Sequence, residues 1–305
     1  KELAEKVISK ELADALNKEF KSLGAGNLQV SLQSHSAKGK ALHKLKLELP
    51  QAKSLGDILS EGEQRAIAIG SFLAEVNIGG GKGGIVFDDP VSSLDHKRRE
   101  QVAARLIQEA AIRQVIIFTH DIYFVCVLME EADRAGVARA TQSLSKKPEG
   151  YGVADPNLPF EGMSTKLRVG ALRNRQQEVA KLDRDGDEAE HRKQTIEVYR
   201  QLRITWERAV EEVLFQKVVL RFRKGISTQP LAGVVVDDTD YACIEQWMTK
   251  CSNYSHDQAL LGGTAIPGPD ELLVDINALD DWRLHVEKRS SDVAKKRKAG
   301  SVATA

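Results

Sequence analysis

The chain has few cysteines and no pairing pattern among them. Cys126, Cys243 and Cys251 are the three in 305 residues, and none sits in a C-x-x-C spacing that would point to a zinc site or a redox pair. Long apolar runs are lacking as well. No stretch reaches the roughly 18–20 apolar residues of a membrane helix, and none reads as a secretory leader. The expected setting is therefore reducing and cytoplasmic, with no membrane partner. A charge excess is also absent: 44 Lys and Arg balance 44 Asp and Glu, so any contact with nucleic acid must come from local patches. Finally, no G-x-x-x-x-G-K-[ST] string occurs, the loop whose amides would cradle a nucleotide phosphate. Its nearest imitation, Gly79 to Gly84 (GGGKGG), has the wrong spacing and no Ser or Thr after Lys82; it reads as a flexible loop.

What is present is concentrated in two strings. LSEGEQ, Leu59 to Gln64, sets a serine and a glycine at the mouth of an apolar helix carrying Ile67, Ile69, Phe72, Leu73 and Val76. Unpaired amides and the helix dipole make such a start phosphate-facing. GIVFDDPVSSLDH, Gly84 to His96, opens as a buried strand, ends in Asp88 and Asp89, and is stopped by Pro90. A second apolar strand, Val115 to Phe118, ends in Thr119, His120 and Asp121. Acids at the carboxyl end of such strands lie where open α/β sheets bind ligands.

The ordered set LSEGEQ, strand-Asp-Asp-Pro, SSLD and strand-Thr-His resembles the second half of an ABC-type ATPase head, as in SMC- and RecF-like proteins, over about residues 54–129. The resemblance implies an α/β ABC-ATPase head fragment, carrying the signature and Walker B half, that works with ATP (or another NTP) and Mg²⁺. Asp88 matches the acid that holds the metal through water. Asp89 stands where the family has a glutamate that orients or deprotonates the attacking water; it is one methylene shorter, which implies slow turnover. His120 matches the switch histidine that senses the γ-phosphate, and Asp95 the aspartate that lies across the dimer interface. Ser60, Gly62, Glu63 and Gln64 match the signature that covers ATP held by the opposite head. The implied partners are the Walker A half and a second copy in a head-to-head dimer.

Upstream, Leu3, Val7, Ile8, Leu12, Leu16 and Phe20 form one stripe of a charged helix. It reads either as the last turns of a coiled coil returning to the head or as a surface helix of the head itself. Alternating runs at Leu28, Val30, Leu32 and at Leu42, Leu45, Leu47, Leu49 predict a hairpin with Ser34 to Lys40 as its loop. The head is expected to span 1–145, with a linker at 146–163.

The rest reads as an all-α unit over 164–289 followed by a disordered basic tail, 290–305. Arg173 to Lys193 is dense in charge and reads as solvated. Helices are expected over 194–223, 239–250 and 269–289. Arg203 and Glu207 are four apart on one helix face, and His256 follows after a helical return. Spacing alone leaves Arg203 and Glu207 as an ordinary ion pair and His256 as a polar helix end. Placed after an ABC-type head, however, Arg-x-x-x-Glu with a distant His resembles the ribonuclease unit of the anticodon nucleases PrrC and RloC, which is similar to HEPN ribonucleases. That resemblance implies metal-independent cleavage of tRNA or another RNA, with DNA as an activator. Glu207 and His256 would divide the acid and base roles and Arg203 would hold the phosphate. Tyr241, Trp247 and Tyr254 are candidates for stacking on unpaired bases, Trp206 reads as core, and Arg221, Arg223 and Lys224 form a basic cluster.

Overall fold

The computed structural model describes residues 2–26, 30–37, 40–47, 59–147, 150–221, 223, 225–255 and 265–302. It divides into two units, Lys1–Ala140 and Thr141–Ala305. No described helix is long and apolar enough to cross a membrane.

In the first unit, helix α1 (Glu2–Ser22) leads to an antiparallel hairpin, β1 (Val30–Ala37) and β2 (Lys40–Leu47). The register runs from Val30 opposite Leu47 to Ala37 opposite Lys40. The strands run closer to their turn than the alternation predicted, so Ser34 to Ala37 are paired rather than looped. Leu28 and Leu49 lie outside the described residues.

Helix α2 (Glu61–Ile78) follows, then the unit β3 (Ile85–Asp88), α3 (His96–Ala110), β4 (Val115–Phe118), with α4 (Ile122–Ala135) after it. Strands β3 and β4 are parallel, Asp88 opposite Phe118, as a helical crossover between them requires. Leu16, Phe20 and Leu23 at the end of α1 are buried. Phe20 seats against Gly70 of α2, where an added Cβ would lie 2.8 Å from its ring. A buried charge network ties α1 to α3: Arg105 donates to both oxygens of Glu19 at 2.7 and 2.8 Å, and Glu109 pairs with Arg105 at 2.8 Å and Arg113 at 2.6 Å. Such a network stays favourable only while every member keeps its partner. This end of α1 is therefore packed into the first unit.

The strand expected to be buried is covered on one side. Ile85 and Phe87 are covered, Phe87 edge-on to Phe72 at 5.6 Å, but Val86 is 55% exposed. Its neighbours across the ladder, Ile116 and Phe118, are 40% and 51% exposed. Among the described residues, helices cover one face of the two-stranded sheet, while the other presents Val86, Ile116 and Phe118 beside Asp88.

The second unit begins with a hairpin, β5 (Ser143–Lys147) and β6 (Gly150–Asp155), and a 3₁₀ turn at Phe160–Gly162, where a linker was expected. Over 164–289, the span expected to be all-α, every described element is a helix. Helix α5 (Thr165–Asp185) ends on left-handed Gly186, and α6 (Glu188–Ala209) starts two residues later with Asp187 as its cap. The charge-dense stretch accordingly spans two helices and their junction. Helix α6 then widens into a π segment, Val210–Leu214, and stops, well short of residue 223. Helices α7 (Asp238–Ser255) and α8 (Pro269–Val302) complete the unit.

The core of this unit gathers Val169, Leu172 and Val179 of α5, Tyr199, Leu202 and Trp206 of α6, and Cys251 of α7. Helix α8 supplies Leu272, Ile276, Leu279 and Trp282 at helical period. Trp206 is fully buried, 5.3 Å from the Trp282 ring. Burial pushes the Cys251 thiol up to about 12, so it is a core residue rather than a reactive one. Residues 290–302 are helical rather than disordered, because Ser290 is buried and Arg297 donates to the carbonyls of Leu231, Ala232 and Val234.

Candidate functional site

The carboxyl ends of β3 and β4 bring three of the expected residues, Asp88, Asp89 and His120, together with Thr119. Asp88 closes β3 and is exposed. Asp89 turns the chain with a left-handed φ of 44°, and its amide donates to the Phe118 carbonyl at 2.7 Å. Aspartate tolerates that conformation better than most residues, and strain of this kind gathers at functional sites. The Asp89 carboxylate is gripped on both oxygens. The Thr119 hydroxyl donates to Oδ1 at 3.1 Å, and His120 Nδ1 lies 3.3 Å from Oδ2.

The side chain of Asp89 is 27% exposed and that of His120 is 83% exposed. A carboxylate so oriented has lone pairs left for a water, and an imidazole so exposed has room to meet an approaching anion. Thr119 was visible in the sequence only as the residue before His120; its grip on Asp89 is a tertiary fact. Arg99 of α3 fixes the next residue, Asp121, at 2.6 Å, and Asp121 caps α4.

The LSEGEQ residues and the SSLD turn form a second cluster. Ser60 caps α2 in a reciprocal box: the Glu63 amide donates to Ser60 Oγ at 3.3 Å, while the Ser60 amide and hydroxyl donate to Glu63 Oε2 at 3.0 and 2.8 Å. A carboxylate of the chain itself therefore already occupies the helix start that was read as phosphate-facing. Gly62 lies under the turn after Asp89; an added Cβ would meet the Ser93 carbonyl at 3.1 Å and the Arg98 guanidinium at 3.3 Å. Ser93 is itself left-handed, φ 65°. Arg65 donates to Ser92 Oγ, and Arg98 lies 3.5 Å from Glu63 and 3.9 Å from Asp95. Asp95 caps α3 through the Arg98 amide at 2.9 Å, and Gln64 donates to the Leu59 carbonyl at 3.0 Å. Ser60 and Asp95, both exposed, thus share one braced surface.

Among the described residues no three His, Cys, Asp or Glu gather into a metal cage. Magnesium does not need one, since it is commonly held by one or two carboxylates with water and substrate phosphate. The exposed Asp88 carboxylate at a strand end fits that mode.

In the second unit, Arg203 and Glu207 pair at 3.8 Å, as their spacing predicted. Their neighbours did not follow from spacing. Arg221 reaches back to Glu207 at 3.3 Å and to Glu211, and hydrogen bonding to Glu211 raises its guanidinium above the ordinary value. Glu212 accepts from the amide and hydroxyl of Thr165, both at 2.7 Å. Arg223 donates to Ser227 Oγ at 2.6 Å.

His256 and Lys224 lie outside the described residues. The end of α7 before His256 is anchored, however: Tyr254 packs on Tyr199, one turn before Arg203, with ring centroids 4.8 Å apart. Tyr199 donates to the buried Asp275 at 2.6 Å, and Lys250 joins Asp275 to Glu271. Of the aromatic candidates, Tyr241 is 65% exposed, whereas Trp247 and Tyr254 pack against the core.

Residues 1–150 match a family model described as an AAA domain. The match covers 150 of the 305 residues, just under half of the chain. No curated protein matches the chain. The solved structures similar to this chain include one of SMC ATPases described by ATP-driven dimerization and DNA-stimulated activation, at 17% identity and TM-score 0.36, covering 51% of this chain and 87% of that one. Another is an SMC head bound to the C-winged helix domain of ScpA, at 16% identity and TM-score 0.37, covering 48% of this chain and 41% of that one.

Proposed function

We propose that the first unit is an ATPase domain and works as one half of an ABC-type head, completed by a Walker A half and closed by a second head across ATP or another nucleotide. The observation that carries this reading is the meeting of Asp88 and Asp89 at the end of β3 with Thr119 and His120 at the end of β4. Asp88 would hold Mg²⁺ through water, where the ion would offset phosphate charge. Asp89, steadied by Thr119, orients the attacking water and accepts its proton. His120 reports on the γ-phosphate by exchanging its contact with Asp89 for one with the anion. The open apolar face at Val86, Ile116 and Phe118 suits coverage by the Walker A half.

The braced surface of Ser60 and Asp95 suits a second head, and there the Ser60 hydroxyl must leave Glu63 to meet phosphate. Ser60→Arg places a bulky cation at that helix start. It is expected to abolish nucleotide-dependent association of the completed heads, measured by light scattering with ATP and Mg²⁺. Association undiminished in Ser60→Arg would remove the signature from the interface.

The finer reading is that head closure gates RNA cleavage, of a tRNA anticodon or another RNA in phage defence or stress, by Arg203, Glu207 and His256. Its support is the Arg203–Glu207 pair beside Tyr199, on which Tyr254 brings the end of α7. RNA supplies its own nucleophile, the 2′-OH, so an acid, a base and a cation suffice. The competing reading is an SMC- or RecF-like DNA-maintenance ATPase whose helical unit binds a partner. Val274 and Leu284, exposed by 63% and 52% on α8, favour it.

A further inference from the structure

A cleft of about 230 Å³ in the second unit belongs to none of the groups discussed above. One wall is a single face of α8, on which Glu287, Ser290, Ser291 and Lys298 recur at helical spacing. The facing wall is the 3₁₀ turn Gln229–Gly233, which Arg297 clamps to α8 through three carbonyls. Gln216 closes the third side. It is the first of two successive left-handed residues, φ 49° for Gln216 and 60° for Lys217, which follow the π segment. Strain of this kind persists where surrounding structure enforces it, and it concentrates at binding sites.

The lining is rich in groups that can donate. Ser290 is 2% exposed, and its hydroxyl has no partner among the described residues although it lines the cleft. A buried, unspent hydroxyl calls for a ligand or an explanation. Gln216 spends its amide nitrogen on the Val213 carbonyl, and Gln229 adds a second carboxamide at the mouth. The one acid, Glu287, is already held by Arg283 at 2.8 and 2.9 Å. Lys298 brings positive charge to the rim, at the end of the run Lys295 to Lys298.

We infer that this cleft is a nucleotide subsite, taking one unpaired base between Gln216, Gln229 and Ser290 and its phosphate toward Lys298. Size, polarity and charge each argue for it. The volume is several times the ~30 Å³ of a water yet below the ~300–1,000 Å³ of sites for drug-sized ligands, so it suits one small ring system. Carboxamides carry a donor and an acceptor side by side, the pattern that base edges answer. A neutralised acid and a basic rim favour phosphate over a cation. The nucleotide has two sources, a free mononucleotide or one residue of a single-stranded RNA. Only the second rests on the RNA-cleavage reading.

The test uses the full chain with AMP, GMP, CMP and UMP by calorimetry, and a fluorescein-labelled unstructured RNA by anisotropy. At least one mononucleotide or the RNA is expected to bind, and Gln229→Ala or Lys298→Ala, both at exposed positions, to weaken it about tenfold. Ser290→Val should do the same, with unchanged circular dichroism confirming its fold, and Glu207→Gln should leave binding intact. Mononucleotide binding lost in the cleft variants, with no RNA bound or cut, would uphold the subsite with a free nucleotide as ligand while the RNA reading failed. Absence of binding by every probe at millimolar concentration, or binding indifferent to all three cleft substitutions, would overturn the subsite. RNA cleavage with a KM unmoved by those substitutions would overturn it too, leaving the RNA reading standing.

Discussion

Asp89→Asn is expected to slow ATP hydrolysis by the completed head about 10²- to 10⁴-fold while nucleotide-dependent association persists. The range is that of a general base removed from a reaction. Association should survive because Asn keeps the size of Asp and can still accept from Thr119 Oγ1, now 3.1 Å from Asp89 Oδ1. What it cannot do is take a proton from water. The left-handed turn at φ 44° is also open to Asn, which visits that region readily, so the strand end should keep its path. Phosphate release with ATP and Mg²⁺ measures the first effect, and gel filtration with ATP the second. Hydrolysis reduced less than about threefold would take Asp89 out of the proton-accepting role.

Glu207→Gln is expected to remove RNA cleavage and its toxicity at least 100-fold when the intact system is induced, with little change in stability. Glu207 is a half-exposed carboxylate between Arg203 at 3.8 Å and Arg221 at 3.3 Å. Exposed pairs of this kind are worth about 0–1 kcal/mol, so the melting temperature should fall by no more than about 4 °C. Arg203→Ala and His256→Ala should match the loss of cleavage. The products should carry a 2′,3′-cyclic phosphate, and cutting should survive EDTA once the head has been activated, since the chemistry needs no metal. Toxicity unchanged in Glu207→Gln would return that residue to an ion pair and favour the partner-binding reading of the helical unit.

The residues at the strand ends and helix starts of the first unit were legible because they are local. A serine cap followed by Glu63, an acid pair before Pro90, and Thr-His after an apolar strand each report on their own turn of chain. Their mutual contacts were not legible. That Thr119 grips Asp89, or that Gly62 lies beneath Ser93, depends on parallel pairing and on packing between segments some thirty residues apart. Periodicity also misjudged burial of the IVF strand, because a short apolar run reads alike whether one face or both are covered.

Past residue 140 the signals weakened for physical reasons. Hairpin β5–β6 is polar, with Leu144 60% and Tyr151 83% exposed, so backbone pairing rather than apolar alternation specifies it. Helix α8 outlasts its apolar stripe at Val286, and polar contacts such as those of Arg297 accompany its last turns. Arg221 joins Glu207 only because α6 widens and breaks at Val210–Leu214, which turns the chain back in a way no i,i+4 count foresees.

The most direct test of the account is magnesium-dependent ATP turnover by the 305-residue chain, alone and with the Walker A half supplied in trans. The chain contains Asp88, Asp89, His120 and the signature but no phosphate-cradling G-x-x-x-x-G-K-[ST] string. It should therefore be inert alone and turn over when complemented, with the Asp89→Asn complement slowed about 10²- to 10⁴-fold. Robust turnover by the chain alone, or none in the complemented pair, would contradict the assignment of these residues to one half of a shared ATP site.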